Sequence, residues 1–144
     1  MAQVFTNYNP DQVICTFGSL LQGFAPGTFI KVTPLSPGFT SRAGADSLVS
    51  HTRGNDPRVK IEITFMAGSS SNTVLSGIHE TDLTAPNGAG VAPFSLTDLN
   101  GDSLVECTYA RVMQAPDMEF SNENDGDRVW ILEGVKSKRV DGGR

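Results

Sequence analysis

The chain has 144 residues, 11 basic against 16 acidic, a net charge of −5, 38% hydrophobic and 19% charged side chains. That length suits one domain, 1–144, with its own core, and the balance is globular rather than disordered. The acidic charge argues against binding through phosphate contacts, and no apolar run approaches the ~20 residues that span a bilayer.

The start, Met1-Ala2-Gln3-Val4-Phe5, lacks the basic and apolar segments of a signal peptide, so folding is expected in the compartment of synthesis. Asn7-Tyr8-Asn9-Pro10-Asp11 is turn chemistry. Residues 13–17 read as a first strand, Gly18-Ser19 as a reversal, and Leu20-Leu21 as a short return broken at Gly23 and Ala25-Pro26-Gly27. Residues 28–32, rich in β-branched and aromatic side chains, make a third strand.

From 33 to 57 the composition changes. Pro34, Pro37, Gly38, Gly44, Gly54 and Pro57 interrupt a segment with scattered apolar residues, the signature of a functional loop or arm. A weak strand at 47–53 would make it an extended hairpin. In 58–66, Val59, Ile61, Ile63 and Phe65 alternate with Arg58, Lys60, Glu62 and Thr64. A period of two places the apolar set on one face and the polar set on the other, a half-buried antiparallel strand.

The helix is predicted over 72–80, with Ser or Asn at its cap and Val74, Leu75 and Ile78 as its apolar stripe. A loop at 84–90 is followed by strands at 92–99 and 103–113. Asn100-Gly101 between them predicts a two-residue type I′ hairpin turn. Ala115-Pro116 bends the chain, 121–127 is a polar turn, and 128–135 is the last strand, with Trp130 in its core run. Residues 136–144 read as a polar, flexible end. Seven or eight short strands and one helix predict a mainly β domain: a small two-sheet sandwich or barrel with one flanking helix and a long loop between strands.

Catalytic and metal chemistry find little support. His51 and His79 fall in different elements without an orienting partner. Gly68-Ser69-Ser70-Ser71 is not a nucleophile elbow, and Gly88-Ala89-Gly90 lacks the context of a phosphate-binding loop. Asp98-Leu99-Asn100-Gly101-Asp102 has its Gly at the wrong position for a calcium loop. Glu119, Glu123, Asp125 and Asp127 carry charge without ligand spacing, which reads as a solvated turn. Cys15 and Cys107 sit in apolar runs and read as buried reduced thiols, with a disulfide between them as the alternative. The basic cluster Arg128, Lys136, Lys138, Arg139 and Arg144 is either a solvated end or a contact with an acidic neighbour. The expectation is a non-enzyme with no cofactor, no metal and no catalytic residue.

Ordered strings carry more. Tyr8-Asn9-Pro10-Asp11-Gln12-Val13, Gly23-Phe24-Ala25-Pro26-Gly27-Thr28-Phe29-Ile30-Lys31-Val32, Phe39-Thr40, Gly44-Ala45-Asp46 and Arg53-Gly54-Asn55-Asp56 come first. Ser70-Ser71-Asn72-Thr73-Val74-Leu75-Ser76, Gly88-Ala89-Gly90-Val91-Ala92-Pro93-Phe94, Asp98-Leu99-Asn100-Gly101, Met118-Glu119-Phe120-Ser121 and Arg128-Val129-Trp130-Ile131-Leu132-Glu133 follow. In this order the sequence resembles the tail-tube proteins of contractile-tailed bacteriophages, related in fold to type VI secretion tube proteins. The acidic turn at 122–127 is more polar than that pattern.

The resemblance implies six copies in a ring, strands joined into one lumen-lining barrel, and rings stacked into a tube inside sheath protein, with DNA in transit. Tape-measure, baseplate and tail-terminator proteins would be further partners, the virion tail the location, assembly would take place in the host cytoplasm, and no membrane would be involved. On that reading Phe39, Thr40, Ala45, Asp46, Arg53, Asn55, Asp56, Lys136, Lys138 and Arg139 are candidates for contacts between copies. Lys60, Glu62 and Thr64 are the lumen-facing candidates. Six copies would carry about −30 in charge, which would keep DNA off the wall if the acids face inward. A tail-completion or connector ring and a non-catalytic β-sandwich binding module are the alternatives.

Overall fold

A computed structural model describes residues 9–85, 87–120, 122 and 126–142. A 3-10 turn at Pro10–Gln12 opens it, started by Asn9, whose Oδ1 accepts from the Asp11 amide. The strands are β1 (Val13–Phe17), β2 (Ser19–Leu21), β3 (Ile30–Pro34), β4 (Phe39–Ala43), β5 (Val49–Arg53), β6 (Arg58–Met66), β7 (Ala92–Asp98), β8 (Leu104–Gln114) and β9 (Asp127–Val140); the helix α1 is Ser70–Thr84. Seven strands form one curled, fully antiparallel sheet, a half-barrel in the order β2-β1-β7-β8-β9-β6-β3, and β4 with β5 form a small second sheet. The domain is mainly β with one flanking helix, as its sequence pattern predicts.

The alternation in β6 dictates the core. Val59, Ile61, Ile63 and Phe65 are all buried, while Lys60, Glu62 and Thr64 on the opposite face are only half-buried. Cross-strand partners share a face, so Ile61 and Ile63 meet Leu132 and Trp130 of β9. The buried set continues through Val112 and Ala110 of β8, Phe94 of β7, and Cys15 and Phe17 of β1. Each large side chain removed from water in this way contributes about 1.5–3 kcal/mol. Gly134 is needed where β9 pairs with the irregular stretch of β8: a Cβ there would meet Cys107 Sγ at 2.8 Å.

The helix closes over this core at its N-terminal half. Ser69 caps it, its Oγ accepting from the Ser71 amide at 3.2 Å. Trp130 Nε1 donates to Asn72 Oδ1 at 2.9 Å, and Asn72 Nδ2 donates to the Met66 carbonyl at 2.9 Å. Ser71 Oγ accepts from the Gln22 amide at 2.9 Å and donates to its carbonyl at 3.0 Å. At the other end Asp82 opposes the helix dipole. Arg111 of β8 compensates at 2.8 Å, and the Gly90 amide donates to the same carboxylate.

Several boundaries differ from the sequence reading. The helix is longer than 72–80 because its hydroxyl residues are used for capping and docking. Val74 is 40% exposed, so Leu75 and Ile78 alone face the core. β3 begins at Ile30 rather than Thr28. The β7–β8 hairpin forms, but not through a type I′ turn, since neither Asn100 nor Gly101 has positive φ. Instead Asp98 pairs through its amide with the Ser103 carbonyl, and its Oδ1 accepts from the Asn100 amide at 3.1 Å, organising a four-residue turn over 99–102.

The end read as flexible from Lys136 is strand through Val140, with Lys138 opposite Glu106 and Arg139 opposite Val105. Backbone pairing along the long β8 holds it, a ladder that polar composition does not advertise. Both cysteines are free and buried, and burial pushes the Cys15 thiol up to about 12.

Candidate assembly surfaces

Residues 35–57 form an arm, shorter than the 33–57 read from composition because Thr33 and Pro34 pair with β6 as the end of β3. β4 and β5 pair from Phe39 opposite Arg53 to Ala43 opposite Val49, and every residue of both strands is exposed. At the tip, around Ala45 and Asp46, the Gly44 amide bonds the Leu48 carbonyl at 2.7 Å and Ser47 adopts a φ of 69°. Phe39 and Leu48, 67% and 70% exposed, have no core to enter. A lone two-stranded ribbon is marginal in water, and this one packs no residue of either strand into the core.

Its base is clamped. Asp56 Oδ1 accepts from Arg58 Nε at 2.8 Å and from the Arg58 amide at 3.2 Å; Oδ2 accepts from Arg58 Nη2 at 2.8 Å and from Ser36 Oγ at 2.6 Å. These bonds, above all those from the Arg58 guanidinium, hold the Asp56 carboxyl well below the usual carboxylate range. Asp56 thus ties the outgoing strand to the segment entering the arm, a positioning role rather than a free contact. Close packing at Gly54 reinforces this, because a Cβ there would meet the Pro37 carbonyl at 2.7 Å.

Between the arm and the end of β9 lies a cleft of about 600 Å³, lined in part by Pro37, Phe39, Arg53, Asn55, Lys136 and Arg139. The fold therefore gathers Phe39, Arg53, Asn55, Asp56, Lys136 and Arg139 at one place, although 80 residues separate the two groups in sequence. Thr40, Ala45 and Asp46 extend away along the arm. Lys138, exposed on β9 opposite Glu106, does not line the cleft. Arg144 lies outside the described residues.

The polar face of β6 is a mixed strip. Lys60 lies opposite Thr33 and Glu133, Glu62 opposite Lys31 and Ile131, and Thr64 opposite Val129. Lys60 Nζ reaches Glu62 Oε1 at 3.0 Å, and Arg58 reaches Glu133 at 3.8 Å. Arg58, Lys60 and Lys31 outnumber Glu62 and Glu133 here, so this strip does not concentrate the chain's acids.

β2 and β3 are the sheet's two edges. An apolar cleft of about 660 Å³ near β2 includes Ile14, Leu20, Phe24, Phe29 and Met66. His51 sits exposed on the arm, whereas His79 is half-buried on α1 with its Nδ1 out of contact with solvent, in a separate element. Of the acidic turn, Ser121, Glu123, Asn124 and Asp125 lie outside the described residues.

One projection lies outside the contact candidates drawn from the sequence. Met118 and Phe120 are 78% and 88% exposed between β8 and β9. Arg128 Nη2 donates to the Glu119 carbonyl at 3.0 Å and its guanidinium lies 6.0 Å from the Phe120 ring centroid. The signal was present: apolar residues alternating with acids just after Pro116.

No protein-family model matches the chain. In sequence it is 27% identical over 139 residues to "Structural protein ORF10" of Pseudomonas phage KPP10, covering 92% of this chain and 80% of that protein. In structure it resembles a chain of the sheath–tube complex of an extracellular contractile injection system, PVC, in the extended state. The TM-score is 0.58 at 10% identity, over 95% of this chain and 92% of that one. The sheath/tube terminator of that system gives 0.60 at 9% identity, over 96% and 98%. The tube-terminating cap of the anti-feeding prophage gives 0.56 at 9%, over 93% and 91%. The chain thus shares its fold with proteins of these contractile assemblies and is similar in sequence to a phage structural protein.

Proposed function

We propose that the chain is a non-enzymatic subunit of a contractile tail, whose copies form hexameric rings that stack into the inner tube through which DNA passes. The observation that carries this reading is the arm: a fully exposed ribbon, clamped at its base by Asp56, on a half-barrel with two open edges. Edges β2 and β3 offer backbone groups for joining copies side by side, which removes an aggregation hazard. A heterologous contact of this kind closes into a ring, and rings stack openly along an axis. The similarity to a sheath–tube complex over nearly the whole chain supports the same reading, as does the structural protein of a phage among its relatives. Sheath, tape-measure, baseplate and terminator proteins are the partners this implies, and the virion tail the location.

A second reading, a terminator or completion ring, is favoured by the terminator and cap among the structural likenesses. Negative-stain microscopy of concentrated protein separates the two. Stacked hollow filaments are expected of a tube subunit, single rings of a terminator. A chain that stays monomeric beside sheath and baseplate components would sink both.

A further inference from the structure

We propose that the 117–120 projection of one copy docks into the basic cleft under the arm of a second copy. This rests on the self-assembly reading above and names a contact within it. The two surfaces lie at opposite ends of the same ribbon: Arg58 pairs with Val135 at the cleft end of β6, and Met66 pairs with Asp127 at the other. At ~3.3 Å per residue they are roughly 26 Å apart, so one chain does not satisfy both ends with itself and a second copy supplies the partner.

The chemistry of the two ends is complementary. The projection presents Asp117 and Glu119 with Met118 and Phe120, all exposed. The cleft presents Arg53, Lys136 and Arg139 beside Pro37 and Phe39. Asp56, the acid that lines the cleft, is held by Arg58, and Arg139 is paired at 3.1 Å with the exposed Asp141 outside the lining, where an incoming carboxylate competes with it. Arg128, through the Glu119 carbonyl and the Phe120 ring, keeps the projection ordered and outward, which lowers the cost of docking. Charge fixes the register of such a contact and speeds encounter, while the apolar pairs supply contact area.

A charge exchange with full-length chains tests the contact. One variant carries Asp117→Lys and Glu119→Lys; the other carries Arg53→Glu, Lys136→Glu and Arg139→Glu. Assembly is followed by sedimentation velocity at low and high salt. Each variant alone should need about tenfold or more protein to assemble, and an equimolar mixture should recover assembly at low salt. Recovery in the mixture also shows that both variants fold. Should a reversal unfold the chain, the neutral pair Glu119→Gln and Lys136→Gln takes its place, and losing both should cost no more than losing either.

Variants that assemble like the wild type, a folded mixture that fails to recover, or a wild type that never self-associates would each overturn the contact. Wild-type rings or filaments indifferent to either variant would overturn the contact and leave the tube reading standing. Charge-dependent association that stops at pairs would uphold the contact and overturn the tube reading.

Discussion

Trp130 and Asn72 are joined by a 2.9 Å hydrogen bond from the indole Nε1 to the amide oxygen, linking the core of β9 to the first turn of the helix. Trp130 is 4% exposed and the bond is part-buried, so water is a poor substitute for this acceptor. Asn72→Ala should therefore destabilise the domain by about 1–3 kcal/mol, the cost of leaving a buried donor unmet. Urea unfolding followed by tryptophan fluorescence reads this directly; an unchanged midpoint would show that the bond does not matter.

Gly134→Ala is expected to be disproportionately harmful for so small a change. The added methyl meets Cys107 Sγ at 2.8 Å and its Cβ at 3.1 Å, and overpacking of this kind costs about 1–3 kcal/mol. Combining it with Cys107→Ala should recover part of the loss, which a double-mutant cycle in urea would measure. Simple additivity would mean that the sulfur is not the obstacle.

Asp56→Asn should leave the core as stable as before and free the arm. Because the folded carboxyl titrates below its unfolded value of about 3.9, its contribution is present above that value and lost as pH falls through the folded pKa. Solvent screening keeps that contribution small. Hydrogen exchange in residues 37–55 should rise in the variant, and in the wild type only under strongly acidic conditions. Arm protection equal in the two proteins at neutral pH would refute the clamp.

Deleting residues 39–56 should leave a folded half-barrel that no longer forms filaments. β4 and β5 bury nothing in the core, so circular dichroism should keep its β signal while sedimentation loses the assembled species. Normal filaments from the shortened chain would remove the arm from the assembly scheme.

The thiols should resist modification in the native protein. Cys15 is fully buried, with its pKa pushed up to about 12, and Cys107 is raised in the same direction by burial. In the unfolded chain a thiol ionises near 8.5, so this stability is intact below that pH and declines as pH rises towards 12. A thiol-reactive dye at pH 8 should label neither residue until denaturant is added, and a reductant should leave Tm unchanged.

How far all this could be read in advance depends on how local each signal is. β6 was legible to the residue, because strict alternation admits one face assignment and the core has no other use for Val59, Ile61, Ile63 and Phe65; β1 was bounded by its apolar run and the turn residues on either side. The long arm was legible from its prolines and glycines, and the buried Trp130 from its apolar neighbours. Asn100-Gly101 misled about the turn type because the Asp98 side chain offered the backbone a different bonding pattern. Residues 136–140 misled because a strand edge accepts polar side chains wherever a neighbouring backbone supplies the hydrogen bonds.

The amino-acid order thus carried the layer pattern, the helix and the existence of the arm, since each depends on side chains a few positions apart. The meeting of Arg53 with Lys136 and Arg139, the clamp of Ser36, Asp56 and Arg58, and the separation of basic cleft from acidic projection came from the fold. Those relationships depend on which strands lie side by side and how far β6 and β9 run together. Sheet register sets that over distances of tens of residues, and no local pattern records it.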